Sequence, residues 1–186
     1  MDSSCLAGHF LIAMPNMVDP NFEGTVTYIC EHNEKGALGV VVNRETDISM
    51  LDLFDQIEIK VDRSAISTRK VHFGGPVSTE HGFVLHRPTG EWNSSIAVGQ
   101  GLMLTTSKDI LEAVADGSGP VDWLLTLGYA GWGAGQLEEE IAQNAWLTVE
   151  ADADLLFATP PEALFDQAMK RLGISKFALS AVAGRA

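Results

Sequence analysis

The stretch "TVTYICEHNEKGALGVVVNR", residues 25–44, gives the clearest indication of the fold. Its first part alternates between the two faces of a strand, and one face carries Val26, Tyr28, Cys30 and His32. The residues "NEKG" (33–36) are typical of a hairpin turn. The run 37–44 that follows is apolar enough to lie in the middle of a sheet. The stretch therefore predicts a β-hairpin inside a larger sheet.

Short apolar runs bounded by Gly, Pro or Ser lie on both sides of this hairpin. They predict strands at 9–15, 70–73, 81–87, 94–99, 101–107, 121–132 and 145–151. Helical patterns occupy 50–57, 107–116, 136–144 and 160–173, with Ser49 and Ser107 as predicted N-caps and a loop reaching residue 69. Strands dominate the first two thirds of the chain and helices its end. This order favours an α+β domain with a mainly antiparallel sheet over a doubly wound α/β domain.

The composition is that of a soluble globular protein. The chain has 186 residues, 46% of them hydrophobic, and no linker, repeat or low-complexity tract divides it. We expect a single domain over residues 1–186, with its core at about 9–173. Twelve Lys and Arg against 25 Asp and Glu give a formal charge of -13. This charge disfavours direct binding to nucleic acid or to an anionic membrane, and Arg63, Arg69 and Lys70 are the nearest approach to a basic cluster.

The two cysteines, Cys5 and Cys30, indicate a reducing compartment. They are too few for a disulfide scaffold and show no C-x-x-C spacing. Only "MDSS" precedes Cys5, which offers no basic or apolar segment for export. No run approaches the roughly 20 apolar residues that a membrane span requires. The expected location is therefore the cytoplasm.

A second stretch, "LGYAGWGAGQLEEE" (127–140), is rich in glycine and raises the question of phosphate binding. Its glycines fit neither the Walker spacing nor Gly-x-Gly-x-x-Gly. Glu138, Glu139 and Glu140 are predicted in the first turn of the next helix, where their charges repel a phosphate. We expect a tight turn or a close backbone approach, with Trp132 packed over it, and a cationic or uncharged ligand stays open.

No pattern predicts a catalytic residue, a metal site or a cofactor. His81 and His86 are five apart on a predicted strand and face opposite sides, so they do not share a metal. A Gly-x-Ser-x-Gly motif is absent. Cys30 is expected to be an inert buried thiol, with pairing to His32 as the alternative.

Three polar segments are the candidate ligand-binding sites. The loop "MPNMVDPNF" (14–22) is stiffened by two prolines and displays Asn16, Asp19 and Asn21. The other candidates are Asn43 and Arg44 at the end of the central strand, and Gly74 and Gly75 before Pro76. The alternative is structural, because Asn and Asp also hydrogen-bond their own backbone in turns.

Several motifs recur in order over most of residues 9–160: "HFLIAMPNMVDPNFEGTVTYICEHNEKGALGVVVNR", "FGGPVSTEHGFVLH", "TTSKDIL", "LGYAGWGAGQLEEE" and "NAWL". With them the sequence closely resembles the AlgH/YqgE family of bacterial proteins. The resemblance implies one domain whose bifurcated, partly barrel-closed β-sheet is flanked by helices. The family is described as transcriptional regulators, and it supplies no catalytic residue or cofactor to transfer.

These observations lead to three hypotheses about function. The first is a non-catalytic cytoplasmic protein, regulatory or adaptor in role, that binds a protein or a small ligand. The second is an enzyme whose polar site joins the 14–22 loop to the end of the 37–44 strand, with Asp19 and Arg44 sharing a pocket. The third, a DNA-binding regulator, conflicts with the charge of -13.

Overall fold

The predicted hairpin is present near the middle of a large sheet. The computed structural model describes residues 5–62 and 69–173, which form ten strands and five helices. The strands are β1 (His9–Ala13), β2 (Val26–Asn33), β3 (Gly36–Val41), β4 (Glu45–Ser49), β5 (Lys70–Phe73), β6 (Val77–Arg87), β7 (Ser95–Gly99), β8 (Leu102–Thr105), β9 (Asp122–Gly133) and β10 (Trp146–Glu150). The helices are α1 (Met50–Gln56), α2 (Lys108–Asp116), α3 (Gln136–Ala142), α4 (Ala153–Ala158) and α5 (Pro161–Arg171).

The two halves of the sheet join on β9. The strand order is β10-β1-β2-β3-β9-β6-β8-β7, with every neighbour antiparallel. Residues 130–133 of β9 pair with β3, whereas 122–127 pair with β6. β5 pairs in parallel with β9 at 126–127 and carries β4 on its other side. Because β3 and β5 occupy the same edge of β9 in succession, the sheet divides there.

The sheet curls around the main core. The Tyr28 hydroxyl on β2 lies 2.8 Å from the carbonyl oxygen of Val98 and 3.1 Å from that of Gly99, and so ties β2 to β7. Inside the curl, α5 buries Leu164 and Met169 against this face. The fold class predicted from the sequence, α+β with a mainly antiparallel and partly closed sheet, is confirmed.

Two further cores lie on the outer face of the sheet. Helices α1 and α2 cover β5 and the first half of β9, where Phe54 and Ile110 are fully buried. Helix α3 covers the second half of β9, where Leu137 packs with Trp132 and Trp146. Both halves of β9 therefore have helices packed on the outer face of the sheet. In residues 5–62 and 69–173 no helix is long and apolar enough to cross a membrane.

One local prediction is wrong and one strand was missed, and both cases concern polar residues. Ser107 does not cap α2 with its side chain: it donates to the Asp109 carboxylate at 2.5 Å, which itself accepts from the Ile110 amide. Strand β4 was not predicted because "ETDIS" is too polar and short to show a strand pattern. The predicted cap at Ser49 is confirmed, because its hydroxyl accepts from the Asp52 amide at 3.1 Å. Part of the predicted loop up to residue 69, including Arg63, lies outside the described residues.

Candidate functional site

The side chains of Asn43 and Arg44 form hydrogen bonds with the backbone of the predicted polar loop and of the residues that follow it. The Asn43 side chain accepts from the Val26 amide at 2.8 Å and donates to the Gly24 carbonyl at 3.0 Å. The Arg44 guanidinium donates to three carbonyl groups of the loop, those of Pro20, Asn21 and Glu23. Two of the predicted segments therefore meet, and they meet through backbone contacts. A ligand-binding role for these side chains stays a prediction.

Asp19 and Arg44, which the enzyme hypothesis expects to share a pocket, do not form an ion pair. The Asp19 carboxylate accepts from the Asn21 amide at 2.9 Å, which is an Asx turn. The Asp19 carbonyl also accepts from the amides of Phe22 and Glu23. Asn16 and Asn21 are exposed on the outer side of the loop. The structure thus favours the structural alternative for Asp19, in which its polar groups satisfy their own turn.

Gly74 and Gly75 lie where β9 leaves no room for a side chain. A Cβ atom on Gly75, whose φ is +155°, would stand 2.1 Å from the carbonyl carbon of Tyr129. A Cβ on Gly74 would stand 2.3 Å from the carbonyl oxygen of Gly128, and a Cβ on Gly128 would approach Gly75 as closely. The glycines of the two stretches therefore permit two backbones to touch. This agrees with the close approach predicted for 127–140.

The glutamates that follow are bound by protein groups. Glu140 accepts from the indole N–H of Trp132 at 3.2 Å and from that of Trp146 at 3.0 Å, while its second oxygen accepts from Gln136. Glu138 lies 2.5 Å from Nε2 of His32. Hydrogen bonds from its own amide and from His32 lower the pKa of Glu138. Only Glu138 and Glu139 lie in the first turn of α3, so the prediction for Glu140 is wrong by one position.

Cys30 and His32 are not partners. A bulge between Ile29 and Glu31 interrupts the register of β2, and the two side chains enter different surroundings. Burial, and secondarily the charge of Glu31, raises the pKa of the Cys30 thiol, as expected of an inert packed cysteine. The His32 ring accepts from the Leu6 amide through Nδ1 and therefore donates to Glu138 through Nε2.

The other histidines are separated as predicted. His81 is exposed, whereas His86 is fully buried and bonds to Thr105 at 2.7 Å and to the Pro88 carbonyl at 3.1 Å. Burial lowers the pKa of His86. Within the part of the chain that the structure describes, no group of three His, Cys, Asp or Glu residues is placed to hold a metal ion.

A cleft that was not predicted from the sequence lies on the face of β5 opposite to the one covered by α1 and α2. It has a volume of about 430 Å³ and is bordered by β5, the start of β9 and the segment 156–161 that joins α4 to α5. We call it the His72 cleft. Four parts of the chain build it, the fourth being Val42 and Glu45, and they are distant in sequence.

His72 forms the polar floor of this cleft. Its neighbour Val71 packs into the core under α1 and α2, so the alternation of β5 turns His72 to the opposite face. His72 is 9% exposed, and neither ring nitrogen has a hydrogen-bond partner. Among the described residues no other side chain has two buried polar atoms without a partner. Burial, and to a smaller extent the charge of Arg69, lower the pKa of His72 to about 4. The ring is therefore neutral at pH 7, with one donor and one acceptor nitrogen.

One side of the His72 cleft is basic and aromatic. The Arg69 guanidinium lies 4.4 Å from the centre of the Trp123 ring and donates to the Trp123 carbonyl at 3.2 Å. Lys70 follows on β5 with its side chain exposed. A cation stacked on an indole is attracted by the ring and held in one plane. These residues can present positive charge in a fixed direction.

The opposite side is apolar, with acidic groups at its rim. Phe157 and Pro160 supply the apolar surface, and the Arg87 guanidinium lies 5.4 Å from the Phe157 ring. Arg87 pairs with Asp122 at 2.7 Å and with Asp154 at 2.8 Å, so the charge of Asp122 is balanced. Glu45 is the register partner of His72 across β4 and β5, and it is exposed.

The sequence contained a partial signal for this cleft. Arg69 and Lys70 were the nearest approach to a basic cluster, and "KVHF" places Lys70 and His72 on one face of a strand. The signal was incomplete because Trp123 and Phe157, which face them, come about 50 and 90 residues later in the chain.

The chain is similar to known proteins over nearly its whole length. The profile of the AlgH-like family, DUF179, matches residues 10–176. A UPF0301 protein of Cupriavidus metallidurans is 59% identical over 181 residues, which cover 97% of this chain and 95% of the relative.

Two solved structures share the fold. The solution structure of the AlgH protein from Pseudomonas aeruginosa has a TM-score of 0.81 and 45% identity, over 97% of this chain and 96% of that one. A crystal structure of a Corynebacterium diphtheriae protein has a TM-score of 0.69 at 20% identity, over 92% and 90% of the two chains, and supports the fold alone. The names of these proteins do not state an activity. Sequence profile, relative and solution structure agree, and the chain belongs to the AlgH-like family.

Proposed function

We propose that this protein binds a small organic molecule in the His72 cleft and acts as a non-catalytic regulatory protein of the cytoplasm. The observation that carries the proposal is a buried imidazole whose two nitrogens have no partner in the described residues. A buried polar group without a hydrogen bond costs roughly 1–3 kcal/mol. A bound ligand that bonds to His72 removes this cost.

The size and lining of the cleft support the proposal. Small-molecule sites usually have volumes of roughly 300–1,000 Å³ and combine apolar walls with a few directed polar groups. The His72 cleft, at about 430 Å³, has this composition, with Trp123 and Phe157 as walls. His72 and Arg69 supply the directed groups.

The enzyme hypothesis has weaker support. Its polar groups, those of Asp19, Asn43 and Arg44, bond to the backbone of the 20–26 segment. A regulatory role through a protein partner is preferred to direct DNA contact, because the formal charge of -13 repels a polyanion.

A ligand screen by thermal unfolding tests the proposal. The library contains neutral, anionic and cationic aromatic fragments, and a compound that binds the folded state raises the melting temperature. The matched variants are His72→Leu in the cleft and His81→Leu on the exposed strand surface. We expect shifts in the wild type and in His81→Leu that are absent in His72→Leu. Equal shifts in both variants, or none with any fragment, would contradict the proposal.

A further inference from the structure

We infer that the His72 cleft takes an organic monocarboxylate that carries a planar apolar ring, with the carboxylate at Arg69 and Lys70 and the ring between Trp123 and Phe157. The inference rests on the proposed function, since it names the ligand class of the same cleft. Four features of the cleft support it: the basic side, the stacked guanidinium, the neutral imidazole and the acidic rim.

Among the arginines of residues 5–62 and 69–173, Arg69 is the one that neither pairs with a carboxylate nor donates to more than one carbonyl group. Arg87 and Arg171 pair with carboxylates, and Arg44 donates to three carbonyl groups. Arg69 donates to a single carbonyl, and within residues 5–62 and 69–173 it has no carboxylate within 4.0 Å. A guanidinium has five N–H groups in a planar fork that matches the two oxygens of a carboxylate.

Stacking on Trp123 prepares Arg69 for this contact. The indole lies 4.4 Å from the guanidinium carbon and limits its orientations. Less conformational entropy is then lost when a carboxylate binds. Lys70, the next residue, adds a second positive charge with freedom to move toward the ligand.

His72 supplies hydrogen bonds without adding charge. Because its ring is neutral at pH 7, one nitrogen donates and the other accepts. The donor suits a carboxylate oxygen. Leu124, Phe157 and Pro160 also line the cleft around it, which favours a ligand with an apolar body.

The acidic surroundings favour a single negative charge over two. Glu45 lies opposite His72 in the strand register and also lines the cleft. The whole chain carries a formal charge of -13. For a phosphate monoester dianion, repulsion from both sources and attraction to Arg69 and Lys70 double together, but the dianion also costs more to remove from water, which favours the carboxylate.

The test compares ligands of one shape and different charge on the intact protein. The probes are 2-naphthoate, its neutral amide 2-naphthamide, and 2-naphthyl phosphate, with Kd measured by calorimetry and the His72 ring followed by NMR. We expect 2-naphthoate to bind at least about tenfold more tightly than the amide, as charge-assisted hydrogen bonds predict. The phosphate should bind more weakly than the carboxylate, and the His72 resonances should shift on binding.

Two variants examine the basic side. Lys70→Gln and Arg69→Gln should each weaken 2-naphthoate binding about tenfold and leave the amide unaffected, whereas Lys108→Gln on α2 is the matched control. Because Arg69 also packs on Trp123, binding to Arg69→Gln is interpreted only if the unfolding curve of this variant matches that of the wild type. If the curves differ, Lys70→Gln alone tests the basic side.

The results separate this inference from the proposed function. If the amide binds as tightly as the carboxylate, or if Lys70→Gln has no effect, the ligand class is wrong while the cleft remains a binding site. Tighter binding of the phosphate overturns the choice of carboxylate. Absence of binding by 2-naphthoate also overturns the inference, and the fragment screen with His72→Leu then judges the cleft.

Discussion

The α3 end of β9 and the His72 cleft both place polar side chains against a tryptophan, yet they differ in what those side chains bond to. Glu140 accepts from two indole N–H groups and from Gln136, so both of its oxygens have partners within the protein. His72 is buried to a similar degree as the tryptophans and bonds to nothing in the described residues. The first arrangement stabilises the fold. The second costs stability, and the ligand that we propose would offset this cost.

The most conspicuous polar run of the sequence, Glu138–Glu140, therefore has a structural role. Three consecutive glutamates beside four glycines attract attention in the sequence, but their partners are already inside the protein. The single histidine in "KVHF" attracts none, and its lack of a partner emerges only in three dimensions.

Gly75→Ala should have the largest effect, because it breaks the close backbone contact between Gly75 and Tyr129 of β9. A Cβ there meets the backbone of Tyr129 at 2.1 Å, where nothing flexible can yield. We expect a loss of about 4 kcal/mol of unfolding free energy, from overpacking and backbone strain together. Urea unfolding measures it. Gly82→Ala, where a Cβ meets nothing within 4 Å, is the control, and an equally small effect at both positions would refute the close-packing explanation.

The pH dependence of stability should come next in size. His72 has a pKa of about 4 in the folded state against 6.5 when unfolded, so the unfolded state binds the extra proton between these values. Its contribution is complete above pH 6.5 and is lost as the pH falls toward 4, by at most about 3 kcal/mol. Denaturant titrations from pH 7 to 4 should show a shallower decline for His72→Leu than for the wild type. Parallel curves for the two proteins would show that His72 has the same pKa in the folded and unfolded states.

Glu140→Ala tests whether the hydrogen bonds at the α3 end of β9 stabilise the fold. It leaves the indole N–H groups of Trp132 and Trp146 without their acceptor, and we expect a loss of about 2 kcal/mol. Glu140→Gln keeps one acceptor oxygen and should recover about half of this loss. Tryptophan fluorescence during unfolding reports both the stability and the surroundings of the indoles. A neutral effect of Glu140→Ala would mean that the network adds nothing.

His72→Leu should have the smallest effect and the opposite sign. Replacing an unpartnered buried imidazole with an apolar side chain removes a desolvation penalty, and we expect a gain of about 1 kcal/mol at pH 7. The same variant loses ligand binding, so stability and binding change in opposite directions. Calorimetric unfolding of the ligand-free protein measures the gain, and a clear loss of stability would indicate that His72 has a structural partner.

Local patterns in the sequence were sufficient for much of the fold. The hairpin at 25–44 and the helix after Ser49 follow from alternation and capping, which depend on neighbouring residues. The close approach of Gly128 was predicted because glycine is the residue that permits it. The bulge in β2 was not, since it depends on register with β3, and this is the reason that Cys30 and His32 were considered as a pair.

The candidate site was predicted less well. The sequence left open whether Asn43 and Arg44 meet the 14–22 loop, and in the structure Arg44 bonds to the carbonyl groups of Pro20 and Asn21. Whether their groups face a ligand or the loop's own carbonyls depends on a few ångströms of side-chain position. The His72 cleft depends on α4 and α5 folding back over β5 and β9, which no local pattern encodes.

The position of β9 in the chain has a consequence for synthesis in the cell. Residues 122–133 are made only after roughly two thirds of the chain has left the ribosome, yet β3, β5 and β6 all require them as a neighbour. Until then the apolar hairpin has an open edge able to pair with other nascent chains. Until β9 emerges, we therefore expect the nascent chain to be prone to association through the open edge of β3.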